Sequence, residues 1–118
     1  MEIWTLDGID TVIMVITAAS QMQPDQLLDS VTNSTRSQFG SKNVRETTSS
    51  IRLGGRPVSG KRLVVQVGSV VIHQDFFAFR RGESAVLLIL QGTPENGKPT
   101  DENRRVRQLL NTSFRLIS

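Results

Sequence analysis

The chain has no cysteine and no tyrosine, one histidine and one tryptophan. Without cysteine there is no disulfide framework, no thiolate nucleophile and no thiolate metal site. One histidine and scattered acids fall short of a metal ligand set, and no metal or other cofactor is expected. No apolar run reaches the roughly 20 residues a membrane-crossing helix needs. Glu2 and Asp7 stand where a signal peptide would be basic. The residues therefore read as soluble, cytoplasmic as they stand, and exported if a leader precedes them.

What is present suits an ordinary globular domain: 37% hydrophobic and 21% charged residues over 118 positions. One domain spanning residues 1–118 is expected at this length. The net charge is only +3. The sequence pI near 10.2 follows from the lack of tyrosine and cysteine, which leaves little to titrate between neutral pH and the lysine range. Eleven of the fourteen cations are arginine, which favours geometric ion pairs over a diffuse basic surface.

The apolar pattern centres on residues 61–91. Three β-branched and aromatic runs are separated there by Gly68-Ser69 and Arg81-Gly82, the pattern of an antiparallel meander. Upstream, Asp7-Gly8 separates residues 3–6 from residues 11–17, which predicts a hairpin. Residues 11–17 and 86–90 are apolar at both odd and even positions. A strand of that kind is covered on both faces.

Pro24-Asp25 opens a predicted helix that Gly40 ends, with Leu27, Leu28 and Val31 as a narrow apolar stripe and Phe39 near its end. Its Ser, Thr and Asn content makes it weak by propensity. Residues 43–53 are Thr-rich and polar, which places them near a sheet edge. Gly54-Gly55 predicts a turn with positive φ; it lacks the spacing, the Lys-Ser/Thr and the following helix of a phosphate loop. Residues 92–99 form a loop. Thr100 or Asp101 then caps a last helix carrying Val106, Leu109, Leu110, Phe114 and Ile117 at helical spacing.

The element order resembles the PsbP-like α/β/α sandwich group. Three stretches carry the likeness: residues 24–28 (PDQLL), 51–57 (IRLGGRP) and 109–115 (LLNTSFR). That group includes the extrinsic photosystem II subunit, Ran-binding transport factors and bacterial exported lipoproteins. The resemblance implies an α+β fold, with an antiparallel sheet of five or six strands and helices on both faces. It also suggests binding to a protein partner; with no catalytic motif in the residues, a non-catalytic bacterial interaction or scaffold module is expected. Members carry more chain before the first long strand than residues 1–10 supply. Either the sheet lacks an edge strand or an N-terminal segment is missing; an unpaired edge invites another chain, and a homodimer through strand addition or segment exchange is expected.

Candidate sites are few. His73 and Asp75 share a strand face, as a base and its orienting acid would, but no nucleophile lies nearby in sequence. A hydrolase centred on His73 is thus one alternative, and a small-molecule or lipid carrier is another. Phe76, Phe77 and Phe79 read as packing on both faces. Possible interaction residues are Trp4, Arg80 and Arg81 at a hairpin tip, and Arg104, Arg105 and Arg107 in the last helix. Together these arginines could meet an anion. Nucleic acid is disfavoured, because aromatic residues do not interleave with the cations.

Overall fold

The computed structural model describes residues 2–7, 11–19, 23–81, 84–94, 98 and 100–113. It contains strands β1 (Glu2–Asp7), β2 (Thr11–Ala19), β3 (Val44–Leu53), β4 (Arg56–Val67), β5 (Val70–Arg81) and β6 (Ser84–Gly92). Helix α1 (Pro24–Phe39) follows β2, and helix α2 (Asp101–Ser113) follows β6. The strands form one antiparallel sheet in the order β1-β2-β6-β5-β4-β3. Helix α1 carries the chain from β2 to the far edge, and the meander β3 to β6 brings it back beside β2.

Local chemistry sets these boundaries. Pro24 occupies the first turn of α1, and the Gln26 carboxamide oxygen accepts the Gln23 backbone N–H at 2.9 Å. Gly40 closes the helix at φ 87° and donates its N–H to the Arg36 carbonyl. Gly54 and Gly55 both have positive φ, 60° and 83°, as the two-residue turn between β3 and β4 requires. Strand β5 runs two residues beyond Phe79, and Arg81 pairs with Ser84, so Arg80 and Arg81 close the strand at its turn toward β6. Residues 82 and 83 lie outside the described set.

Gly60 and Phe77 are partners across β4 and β5. A Cβ on Gly60 would stand 2.6 Å from the Phe77 ring and 2.1 Å from the Phe76 carbonyl oxygen. Glycine is required here because ring and backbone fill the place of a side chain. Pro57 pairs with Arg52, and the last β4–β5 pair is Gly60 with Phe77. Counting from the Gly54-Gly55 turn, the Pro57 nitrogen points toward β5 and not toward β3. No ladder bond is lost at that point.

Two apolar clusters fill the interior. One gathers Leu28 of α1 with Leu63, Val65, Phe76, Ala78 and Leu87, and Val31 and Phe39 pack against it. The other gathers Leu110 of α2 with Ile13, Ile51, Leu53, Phe77, Leu88 and Leu90. Phe76 and Phe77 are thus both buried, in different clusters, and Phe79 joins the second. Ile13 and Leu88 are buried and Val15 is partly so.

The helices depart from the expected apolar stripes. In α1 the inward side continues through Thr32 and Thr35, both buried. Their hydroxyls donate to the carbonyls of Asp29 and Val31 inside the same helix. Such back-bonding lets a threonine enter an apolar contact without an unmet donor. In α2, Leu109 is 55% exposed and leaves the stripe, while Arg107 turns inward to half-burial. Phe114 and Ile117 lie outside the described residues.

Candidate functional site

A buried, multiply bonded carboxylate lies inside the sheet–α2 contact. In β5, Asp75 stands directly across from Arg62 of β4 and Leu90 of β6. Its side chain is 2% exposed. The Arg62 guanidinium grips it with two bonds, Nε to Oδ1 at 2.7 Å and a terminal nitrogen to Oδ2 at 3.0 Å. Arg107, from α2, donates a further bond to Oδ2. The Arg107 Nε in turn donates to Asn103 Oδ1 at 3.0 Å. A buried carboxylate is tolerable only when so paired.

Helix α2 is laid over this point by its ends. The Thr100 hydroxyl accepts the Asn103 N–H at 3.2 Å and caps the first turn. One Glu102 carboxylate oxygen accepts the Thr11 backbone N–H at 2.9 Å. At the other end, Asn111 Oδ1 accepts the Gly55 N–H at 3.0 Å, and the Leu110 carbonyl accepts that of Gly54. The Gly-Gly turn and the C-terminal end of α2 therefore touch.

His73 lies two residues from Asp75 and lines the same cleft, with Arg62, Thr100, Asn103 and Arg107. The cleft measures about 10 Å³, room for about one water. Burial, and then the Arg62 charge, hold the imidazole below its ordinary pKa, against the opposing pull of Asp75. The Arg62 guanidinium is pushed further up by its hydrogen bond to Asp75, in spite of burial. Among the described residues Asp75 bonds the two arginines and not His73, so the base-and-acid pair suggested by the sequence is not assembled. No group of three or more His, Cys, Asp or Glu able to hold a metal occurs among the described residues.

The predicted interaction residues do not converge. Arg80 pairs with Ala85 at one end of β5, whereas α2 begins at the opposite end of the sheet, where Glu102 meets Thr11 beside Gly92. Arg104 and Arg105 are exposed in the first turns of α2, with Arg104 bonded to Asp101. Arg107 is committed to Asp75. The side chains of Trp4 and Arg81 lie outside the described residues. A second groove, of about 300 Å³, has lining residues that include Asp25, Leu28, Glu46, Thr48 and Lys61. Its lining residues are mostly exposed, unlike the enclosed pocket expected of a carrier.

The feature that sequence reading undervalued is β3 itself. It pairs with β4 over ten consecutive residues, Val44 to Leu53, without a bulge. Among the described residues no strand lies on its other side. Because Leu53 and Arg56 flank a two-residue turn, the alternation of ladder bonds points the N–H and C=O groups of Glu46, Thr48 and Ser50 away from β4. Side chains from Arg45 to Thr48 are exposed in succession, so neither odd nor even positions are covered there.

No protein-family model matches the chain, and no curated protein matches it. Among solved structures it is similar to the crystal structure of PA94 from Pseudomonas aeruginosa, described as a protein of unknown function and a candidate regulator. The likeness has a TM-score of 0.53 at 11% identity and covers 97% of this chain and 81% of that one. It supports a shared α+β fold with an antiparallel sheet. No helix of the described residues is long and apolar enough to cross a membrane.

Proposed function

We propose that the chain is a non-catalytic protein-interaction module built as an α/β/α sandwich of the PsbP-like kind. Successive residues of a strand point to opposite faces. The assignment of Phe76 to the α1 cluster and Phe77 to the α2 cluster supports a helix on each face. The observation that carries the functional reading is the β3 edge. A ten-residue outer strand with no proline and no bulge, and with no strand beyond it among the described residues, is a template for strand addition.

The test is site-directed photocrosslinking in cells. A benzophenone amino acid placed at Thr48, on the edge, is compared with one placed at Asn33, exposed on α1. The expected result is a discrete cross-linked protein from position 48 alone, lost when Ser50→Pro is added. Equal labelling from both positions, or labelling indifferent to the proline, would contradict an edge-binding role.

A further inference from the structure

We infer that the β3 edge takes an antiparallel segment of another protein that places an acidic side chain opposite Arg45, and not a second copy of β3. This deepens the edge-binding reading above and rests on it. Arg45 is exposed on the edge strand and has no ion pair among the described residues. It belongs to the same row as Val64, His73 and Gly92, and it lies close enough to His73 to add its charge to those of Arg62 and Arg107. On this side of the sheet only Asp75 opposes those three guanidiniums along β3, β4 and β5, and it is already shared between Arg62 and Arg107.

The neighbouring acid on β3 asks for nothing comparable. Glu46 points to the other face, where it meets Arg36 at 2.7 Å and Lys61 at 3.9 Å. Arg52, the other cation of β3, is exposed and donates only to the Gly55 carbonyl, with no ion pair among the described residues, so the unmet charge that an incoming strand finds is positive. The position also favours a close pair. Arg45 bonds inward to β4, so against an antiparallel newcomer it occupies a non-hydrogen-bonded site, where side chains approach most closely.

Self-pairing leaves Arg45 unmet on the same geometry, although a register centred on Ser49 sets Glu46 against Arg52 of the copy. A two-fold axis that sets β3 against β3 keeps each face on its own side, so odd residues meet only odd residues. Those are Arg45, Thr47, Ser49, Ile51 and Leu53, and none is acidic. In every register of such a dimer Arg45 stays uncompensated, or meets its own copy.

The test uses synthetic peptides of alternating Thr and Val with one central Asp, Asn or Lys, titrated against the whole chain. Two readouts are followed: affinity by fluorescence anisotropy, and exchange protection of the Glu46, Thr48 and Ser50 amides. The Asp peptide is expected to protect these amides and to bind about three- to fivefold tighter than the Asn peptide, with Lys weakest, as cross-strand charge pairs allow. Arg45→Glu should reverse the order to favour Lys, and Thr48→Pro should remove binding of all three.

Amide protection with no charge preference, or an order unchanged in Arg45→Glu, overturns the acidic-segment inference while leaving the edge as a strand acceptor. No amide protection by any peptide overturns both. Protection of the same amides by concentration-dependent self-association, measured by light scattering and abolished by Thr48→Pro, makes a second copy the occupant and overturns the inference.

Discussion

Helix α1 meets the sheet through Leu28, with Leu27, Val31 and Phe39 around it and two threonines whose hydroxyls are satisfied within the helix. Its ion pairs, Arg36 with Glu46 and Lys61 with Asp29, lie in partly exposed positions, where such pairs are worth little. Helix α2 brings fewer apolar side chains, Leu110 and Val106, and is fixed by directed bonds: Arg107 to Asp75, Glu102 to Thr11, Asn111 to Gly55. The first contact is non-directional and tolerates sliding. The second fixes a register, because a carboxylate gripped by two guanidiniums admits little displacement. A small domain can thus hold two helices of similar length by different physics.

The largest expected effect breaks the α2 contact. Asp75→Ala leaves two guanidiniums facing each other in a half-buried site. It should cost about 3 kcal/mol in urea unfolding, toward the lower end for a broken buried pair because both arginines are partly exposed. Next comes a matched pair. Leu28→Ala and Leu110→Ala remove side chains 7% and 8% exposed from the two helices, and each should cost about 2 to 3 kcal/mol. Combined with Asp75→Ala, Leu28→Ala should add independently and Leu110→Ala should add less than its full cost, since Leu110 and Arg107 anchor the same helix. Thr100→Ala, which removes the α2 cap, should cost about 1 kcal/mol.

The smallest effect is a pH dependence. His73 is held below its ordinary value of 6.5 by burial and by Arg62. Between that value and its lower folded value the unfolded chain binds more protons, so stability falls as pH falls through this window and is unaffected above it. His73→Gln should flatten that part of the stability–pH profile, measured by denaturant midpoints.

Much of the frame was legible in the residues. Pro24 and Gly40 bound α1, Gly54-Gly55 and Gly68-Ser69 mark two hairpins, and the both-faced apolar strands are β2 and β6. The Asp75 clamp was half legible. Counting outward from the Gly68-Ser69 turn pairs Val67 with Val70, and the same sum sets Arg62 opposite Asp75. Reading along the strand alone joined Asp75 to His73 instead, because sequence proximity hides cross-strand partners. Arg107 was not legible in the same way. Its inward turn depends on where α2 lies over the sheet, and helical periodicity placed it off the apolar stripe. Leu109 is the converse case, an apolar residue at the right spacing that the short helix leaves outside.

The most direct test of the contrast between the helices is amide hydrogen exchange on the folded protein, comparing Asp75→Ala with Leu28→Ala. The account predicts that Asp75→Ala removes protection from the amides of α2 while those of α1 keep theirs, and that Leu28→Ala does the reverse. Equal loss in both helices from either substitution, or an α2 that stays protected without Asp75, would contradict it.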